Sequence, residues 1–336
     1  MLGVKVSEVG EFGLIDLLRK EFGATAPGVT VQNGDDCAAW RTAGTALATT
    51  DTMVEDVHFR FRTITWDELG WKALAVNVSD IASMGGSADY ALLTLGLSEA
   101  ASVPDLLQMA RSLADCGREF GTAVIGGDIV SSPKAFFVTV ALYGHVPDDG
   151  LGPPLTRSAA RVGDQVAVTG WLGRSAAGFR ALNETVSDPA AALAELRRAH
   201  NRPWPRLREG QALRAAGVQA CIDISDGLAA DVGHIAEMSG LGVRLRAELL
   251  PVSPQVSRVF PADALTLALY GGEEYELAFA APPAVTARAA AEIGRLGTPV
   301  TVVGEVVANH PGKVYLLWPN GREEIVGKGG FDHFRD

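Results

Sequence analysis

The sequence predicts a soluble two-domain protein of the α/β or α+β class. Three observations carry that expectation. The chain has 336 residues, more than one hydrophobic core usually supports. Strand-like and helix-like segments alternate along both halves. A stretch rich in proline and glycine, PDDGLGPPLTRSAARVGD at 147–164, interrupts the alternation near the middle. The domains are therefore expected at 1–148 and 149–336.

The elements follow from local pattern. EFGLIDLLRKEFG (11–23) has helical spacing, and TALATT (45–50) is an apolar strand that turns acidic at Asp51. WDELGWKALAVNVSDIASMG (66–85) is a long, mostly apolar helix, and ADYALLTLGL (88–97) alternates as a strand does. VPDLLQMARSLADCGREFG (103–121) is a helix closed by Gly121, and TAVIGGD (122–128) and KAFFVTVALYGHV (134–146) are strands. Beyond the break, QVAVTG (165–170) leads into a glycine loop and the helix SAAGFRAL (175–182). ACIDIS (220–225) is a strand, DGLAADVGHIAEMSG (226–240) a helix closed by Gly240, YELAFA (275–280) a strand and AVTARAAAEIGRL (284–296) a helix.

Composition excludes several classes. With 29 basic and 40 acidic side chains the net charge is −11, which is unsuited to wrapping nucleic acid. Cys37, Cys116 and Cys221 are far apart and form no CxxC pair, which excludes a disulfide framework and a thiolate zinc site and suits a reducing cytoplasm. The first twenty residues carry scattered charges and no apolar core of a signal peptide. The most apolar run, 135–144, is too short to span a bilayer, so no membrane association is expected.

Aspartates recur at the ends of apolar segments: Asp35 and Asp36 in NGDD, Asp51 in TTD, Asp80 in NVSD, Asp128 in IGGD, and Asp223 and Asp226 in DISD. Carboxylates at strand ends lie on the rim of a sheet, where α/β proteins place ligands. Several ionised carboxylates share a cleft only with cations between them. Mg²⁺ held by carboxylates, water and phosphate resolves that repulsion. Each aspartate taken singly also reads as a cap or turn residue; Ser225 and Asp226, for example, stand just before a helix. The loop TGWLGRSAAG (169–178) opens a helix and offers amides to an anion, or is simply a tight turn. Neither a Walker loop nor a protein-kinase catalytic loop is present.

The motifs GEFGLI, GDDCA, TTDTMVEDVHF, KALAVNVSDIASMG, IGGD, LTRSAARVGD, VTGWLGRSAAG, IDISDGLAADVGHI, GGEEYEL and GGFDHF occur in that order from about residue 10 to 334. In order and spacing they resemble the thiamine-monophosphate kinases. The resemblance implies an aminoimidazole ribonucleotide synthetase-like fold, with an N-terminal mixed sheet and helices followed by a C-terminal α/β domain, and a homodimer formed through the N-terminal domain. It implies transfer of phosphate from ATP to thiamine monophosphate with several Mg²⁺ ions in the cytoplasm. Carried over residue by residue, the metal set is Asp36, Thr49, Thr50, Asp51, Asp80, Asp128, Asp223 and Asp226. The ATP set is Gly127, Asp128, Arg157 and Ser225, and the acceptor set is His58, Glu273 and Phe331. Asp51, Asp80 and Asp128 are expected to matter most.

This chain departs from the family pattern in GGDIV, where hydroxyl residues usually follow the aspartate, in GGEEYE, where Glu274 is one methylene longer than the usual aspartate, and in Phe331, where Tyr or Trp is usual. The alternatives are a cyclo-ligase of purine synthesis, a hydrogenase-maturation protein of the same superfamily, or a non-catalytic Mg-nucleotide-binding module. The chain ends FDHFRD, without the terminal cysteine of the hydrogenase-maturation type.

Overall fold

The structure is a computed structural model and describes residues 4–22, 28–31, 39–186 and 190–327. The chain divides into two compact units, Met1–Ile81 with Ser87–Pro147, and Ala82–Gly86 with Asp148–Asp336.

The first unit opens with α1 (Val6–Phe22), followed by the short strands β1 (Val29–Val31) and β2 (Ala39–Trp40). Then come β3 (Thr45–Val54), α2 (Trp66–Ser83), β4 (Ser87–Leu97), α3 (Val103–Phe120), β5 (Ala123–Ser131) and β6 (Phe137–Val146). A four-stranded mixed sheet has the order β3-β6-β4-β5, with β4 and β5 parallel and the other pairs antiparallel. The α3 helix starts with a proline in its first turn and ends at Gly121, whose left-handed φ of 80° lets its amide reach back to Gly117. Leu69, Leu74 and Val78 of α2, Leu106 and Leu113 of α3, and Leu142 of β6 are fully buried. Helix residues three and four apart bury one stripe against the sheet.

The second unit contains β7 (Gln165–Thr169), α4 (Arg174–Asn183), α5 (Ala190–Asn201), α6 (Leu207–Ala215) and β8 (Ala220–Asp223). It continues with α7 (Leu228–Ser239), β9 (Gly242–Arg246), α8 (Pro254–Val259), α9 (Ala264–Tyr270), β10 (Leu277–Ala281), α10 (Pro283–Arg295), β11 (Val300–Val307), β12 (Val314–Leu317) and β13 (Glu323–Val326). Its seven-stranded sheet has the order β13-β12-β9-β11-β7-β10-β8, antiparallel throughout except for β12 beside β9. Val166, Val168, Ile222, Val243, Leu245 and Val303 form one core with Leu228, Val232 and Ile235 of α7. β10 is buried along its whole length, as a central strand of continuous apolar sequence should be.

Candidate functional site

In the first unit, β3 runs four residues past its expected end at Thr50, because Thr52, Met53 and Val54 continue the pattern of strand formers. Asp51 is therefore inside the strand, not at its mouth. Alternate residues share a face. Thr49 and Asp51 lie on the same side as buried Met53, while Thr50 and Thr52 are exposed on the other. Thr50 donates its hydroxyl to the Val140 carbonyl of β6 at 3.1 Å.

Asp80 comes from α2, which runs straight through it to Ser83. The apolar run before it is helical, as its pattern predicts, so Asp80 presents its carboxylate from a helix face and not from a strand end at the rim of a sheet. The Thr49 hydroxyl donates to Asp80. Burial, and then the charge of Asp80, pushes the Asp51 carboxyl up to about 6. Two half-hidden carboxylates and a hydroxyl thus meet between β3 and α2. This donor set is all oxygen, which suits a hard divalent cation retaining water or phosphate ligands. Among the described residues, no three His, Cys, Asp or Glu side chains assemble into a metal-binding group by themselves. Asp36 lies outside the described residues.

At the end of β3, the Val54 amide donates to Nδ1 of His58 at 3.0 Å, so the imidazole carries its proton on Nε2. Gly127 and Asp128 occupy β5, on the opposite edge of the sheet from Asp51. Three strand spacings separate β3 from β5, about 14 Å. The register puts Asp128 level with Thr94, Thr139 and Thr52, and the last two share a hydrogen bond of 2.8 Å. Gly127 is a glycine because β5 presses on β4: a Cβ there would sit 1.9 Å from the Leu93 carbonyl oxygen. Beside Gly127 and Asp128 a cavity of about 110 Å³ opens, lined by Leu18, Arg19 and Phe22 of α1 and by Leu95 and Ile129.

In the second unit, β8 ends at Asp223, which is 2% exposed. The strand pairing with β10 continues beyond it in backbone bonds. Ile224 donates to Glu276 at 2.8 Å, Tyr275 to Ile224 at 2.9 Å and Glu273 to Ser225 at 2.7 Å. Glu273 and Tyr275 hold left-handed φ of 61° and 53°, a strained backbone that these bonds maintain. Ser225 and Asp226 do not cap α7; the N-cap is Gly227, with φ 115°. The loop is held instead by buried Asp231, whose Oδ2 accepts the amides of Ser225, Asp226 and Gly227 at 3.0, 3.1 and 3.0 Å. Burial and the charge of Asp226 push Asp231 up to about 7, against the pull of those three donors.

Arg157 is exposed on a segment whose neighbour Thr156 bridges Ala220 of β8, and its carbonyl accepts from Ser239 at 3.1 Å. Phe331 lies outside the described residues.

The glycine loop before α4 already has its acceptor. The Ser175 amide donates to Glu274 at 2.9 Å, and Gly173 donates to the same carboxylate. Full burial nevertheless pushes Glu274 up to about 8. Next to it, burial alone would raise Glu276, but Arg206, bidentate at 2.7 and 2.6 Å, and Arg174 at 3.1 Å bring it below the usual range. Sequence reasoning missed Asp231 and noted Glu274 only as a lengthened aspartate of the family pattern, without a role. An aspartate in the first turn after ISDG was the one visible signal for the first.

Two family models match, the AIR synthase related protein N-terminal domain at residues 34–146 and its C-terminal domain at 161–316. The thiamine-monophosphate kinase of Escherichia coli (strain K12) is 39% identical over 334 residues, 97% of this chain and 98% of that one. The crystal structure of thiamine-monophosphate kinase from Stenotrophomonas maltophilia K279a superposes with a TM-score of 0.81 at 32% identity, covering 91% of this chain and 96% of that one. AaThiL complexed with AMPPCP and TMP gives a TM-score of 0.75 at 30% identity, covering 99% and 100%.

Proposed function

The chain is an enzyme of the thiamine-monophosphate kinase family, built on the two AIR synthase related domains, and from that premise we propose how its residues carry out the phosphorylation of thiamine monophosphate by ATP. The observation that carries the reading is the meeting of Thr49, Asp51 and Asp80, an oxygen-only donor set in a chain this similar to a kinase complexed with AMPPCP and TMP.

In the first unit Thr49, Asp51 and Asp80 would hold Mg²⁺, and the metal set that the family resemblance supplies also names Asp36, Thr50, Asp128, Asp223 and Asp226. When bound, magnesium would offset the charge of the two phosphate chains and keep the reacting oxygens in line. Gly127 gives the nucleotide a close approach to the β5 backbone, and the apolar cavity beside it suits a flat base. Ser225, fixed by Asp231 and Glu273, and exposed Arg157 offer a hydroxyl and a guanidinium to phosphate oxygens. His58 offers Nε2–H to the acceptor, and Glu273 and Phe331 take the rest of it.

The acceptor oxygen belongs to an already ionised phosphate, so no general base is required. It attacks the terminal phosphorus of ATP directly as the bond to the ADP oxygen breaks, with no phosphoenzyme. Protein recovered after incubation with γ-labelled ATP should carry no label.

A homodimer through the first unit is part of this reading. Within one chain Asp51 and Asp128 lie about 14 Å apart on opposite edge strands and on opposite faces of the sheet, too far apart to share one ion. A two-fold partner that sets its β5 edge beside β3 would bring its Asp128 to the face that carries Thr50 and Thr52. The reading places the enzyme in the cytoplasm, where ATP is available. Among the described residues no helix is long and apolar enough to cross a membrane.

A coupled assay of ADP release with and without thiamine monophosphate tests the activity. Acceptor-dependent release supports it; nucleotide binding without such release would leave a non-catalytic module.

A further inference from the structure

His200 lies at the end of α5, far in sequence from every candidate residue, yet it reaches one of them. Its Nδ1 is 3.3 Å from Oε2 of Glu273 and 3.1 Å from Oγ of Ser175. The seat for this imidazole is built by close helix packing. At Gly178, α4 meets α5 backbone to backbone, and a Cβ there would lie 2.1 Å from the Leu196 carbonyl oxygen and 3.1 Å from Cβ of His200. Ser175 is 1% exposed and His200 9% exposed, so the node is buried. The ring of Phe179 covers the imidazole at 5.3 Å between centroids. Glu273 opens outward, its side chain one-third exposed.

An ionised carboxylate accepts and does not donate, so the hydrogen between these groups belongs on Nδ1 of His200. The Glu273 backbone is already fixed by its bond to Ser225 and its left-handed φ. The buried imidazole limits the rotamers of its side chain.

We infer that His200 is a positioning residue: it holds the Glu273 carboxylate in the orientation that receives the cationic, nitrogen-rich part of the acceptor substrate. This rests on the reading of Glu273 as an acceptor-binding residue. His200 touches neither substrate. Its loss should weaken the acceptor and spare the nucleotide, because Ser225 and its supports do not depend on the imidazole.

The test is steady-state kinetics of the full-length protein with Glu273→Gln, His200→Ala, His200→Asn and the Glu273→Gln/His200→Ala double variant, with KM measured separately for thiamine monophosphate and ATP. His200→Ala should raise the acceptor KM by about tenfold or more, as loss of one hydrogen bond to a charged group does, with the ATP KM within about twofold. His200→Asn places an amide N–H where Nδ1 stood and should recover most of the loss, which a packing defect would not allow. The double variant should be no worse than the more impaired single variant.

An unchanged acceptor KM in Glu273→Gln would overturn the assignment of Glu273 and this inference with it. A raised KM in Glu273→Gln with none in His200→Ala would overturn the inference alone. Equal increases for both substrates in His200→Ala, or no recovery in His200→Asn, would also overturn it. If His200→Ala does not fold, the comparison of His200→Asn with His200→Gln decides, because glutamine carries its amide past the Nδ1 position and should not recover the KM.

Discussion

The amide of Glu273 donates to the carbonyl of Ser225 at 2.7 Å, so a residue assigned to the acceptor and one assigned to the nucleotide are joined by a single backbone bond. The two segments touch because Gly272 has no side chain; a Cβ there would lie 2.7 Å from the same Ser225 oxygen. Gly272→Ala must push the loops apart. It should cost about 1–3 kcal/mol of stability and raise the KM of both substrates together, as melting curves and kinetics would show.

Asp231 satisfies three consecutive amides with one oxygen. Asp231→Ala leaves buried donors unpaired and should cost about 3 kcal/mol in urea unfolding, with Asp231→Asn intermediate. Affinity for a Mg-bound, non-hydrolysable ATP analogue should fall in the same order.

Glu274 gives the protein a pH signature. Its folded-state carboxyl is raised from the ordinary 4.5 to about 8, so folding favours the neutral acid. Its contribution is complete below about 4.5 and is lost as pH rises through about 8. Glu274→Gln keeps an acceptor for the Ser175 amide without the charge. Thermal melts should show the variant gaining on the parent between pH 5 and pH 9; a constant difference would contradict the assignment.

The Thr49 hydroxyl donates to Asp80 across the gap between β3 and α2. Thr49→Val keeps the shape and removes the donor. Turnover should fall by about tenfold or more, with the melting temperature nearly unchanged.

Local pattern made most of the elements legible. The glycines at 121 and 240 close their helices with φ of 80° and 65°, as their positions suggested. Sequence reading grouped Thr49, Thr50 and Asp51 in one metal set, and the alternation along β3 puts Thr50 on the opposite face from the other two. What pattern could not supply was long-range partnership. Asp80 ends an apolar run whether that run is strand or helix. The acceptor for the loop amides at 173 and 175 is Glu274, about a hundred residues later, and the imidazole behind Glu273 arrives from α5. The left-handed backbone at Glu273 and Tyr275 is imposed by pairing with Ile224 and Ser225, and no local preference announces it.

The most direct test is the turnover of Asp80→Asn at saturating Mg²⁺, measured beside its thermal melt. Asparagine keeps the size and the acceptor for Thr49 but removes the charge. The account predicts a loss of about a thousandfold or more in acceptor-dependent ADP formation, with a folded protein. Activity within about twofold of the parent would show that the carboxylates between β3 and α2 do not hold the ion on which phosphoryl transfer depends.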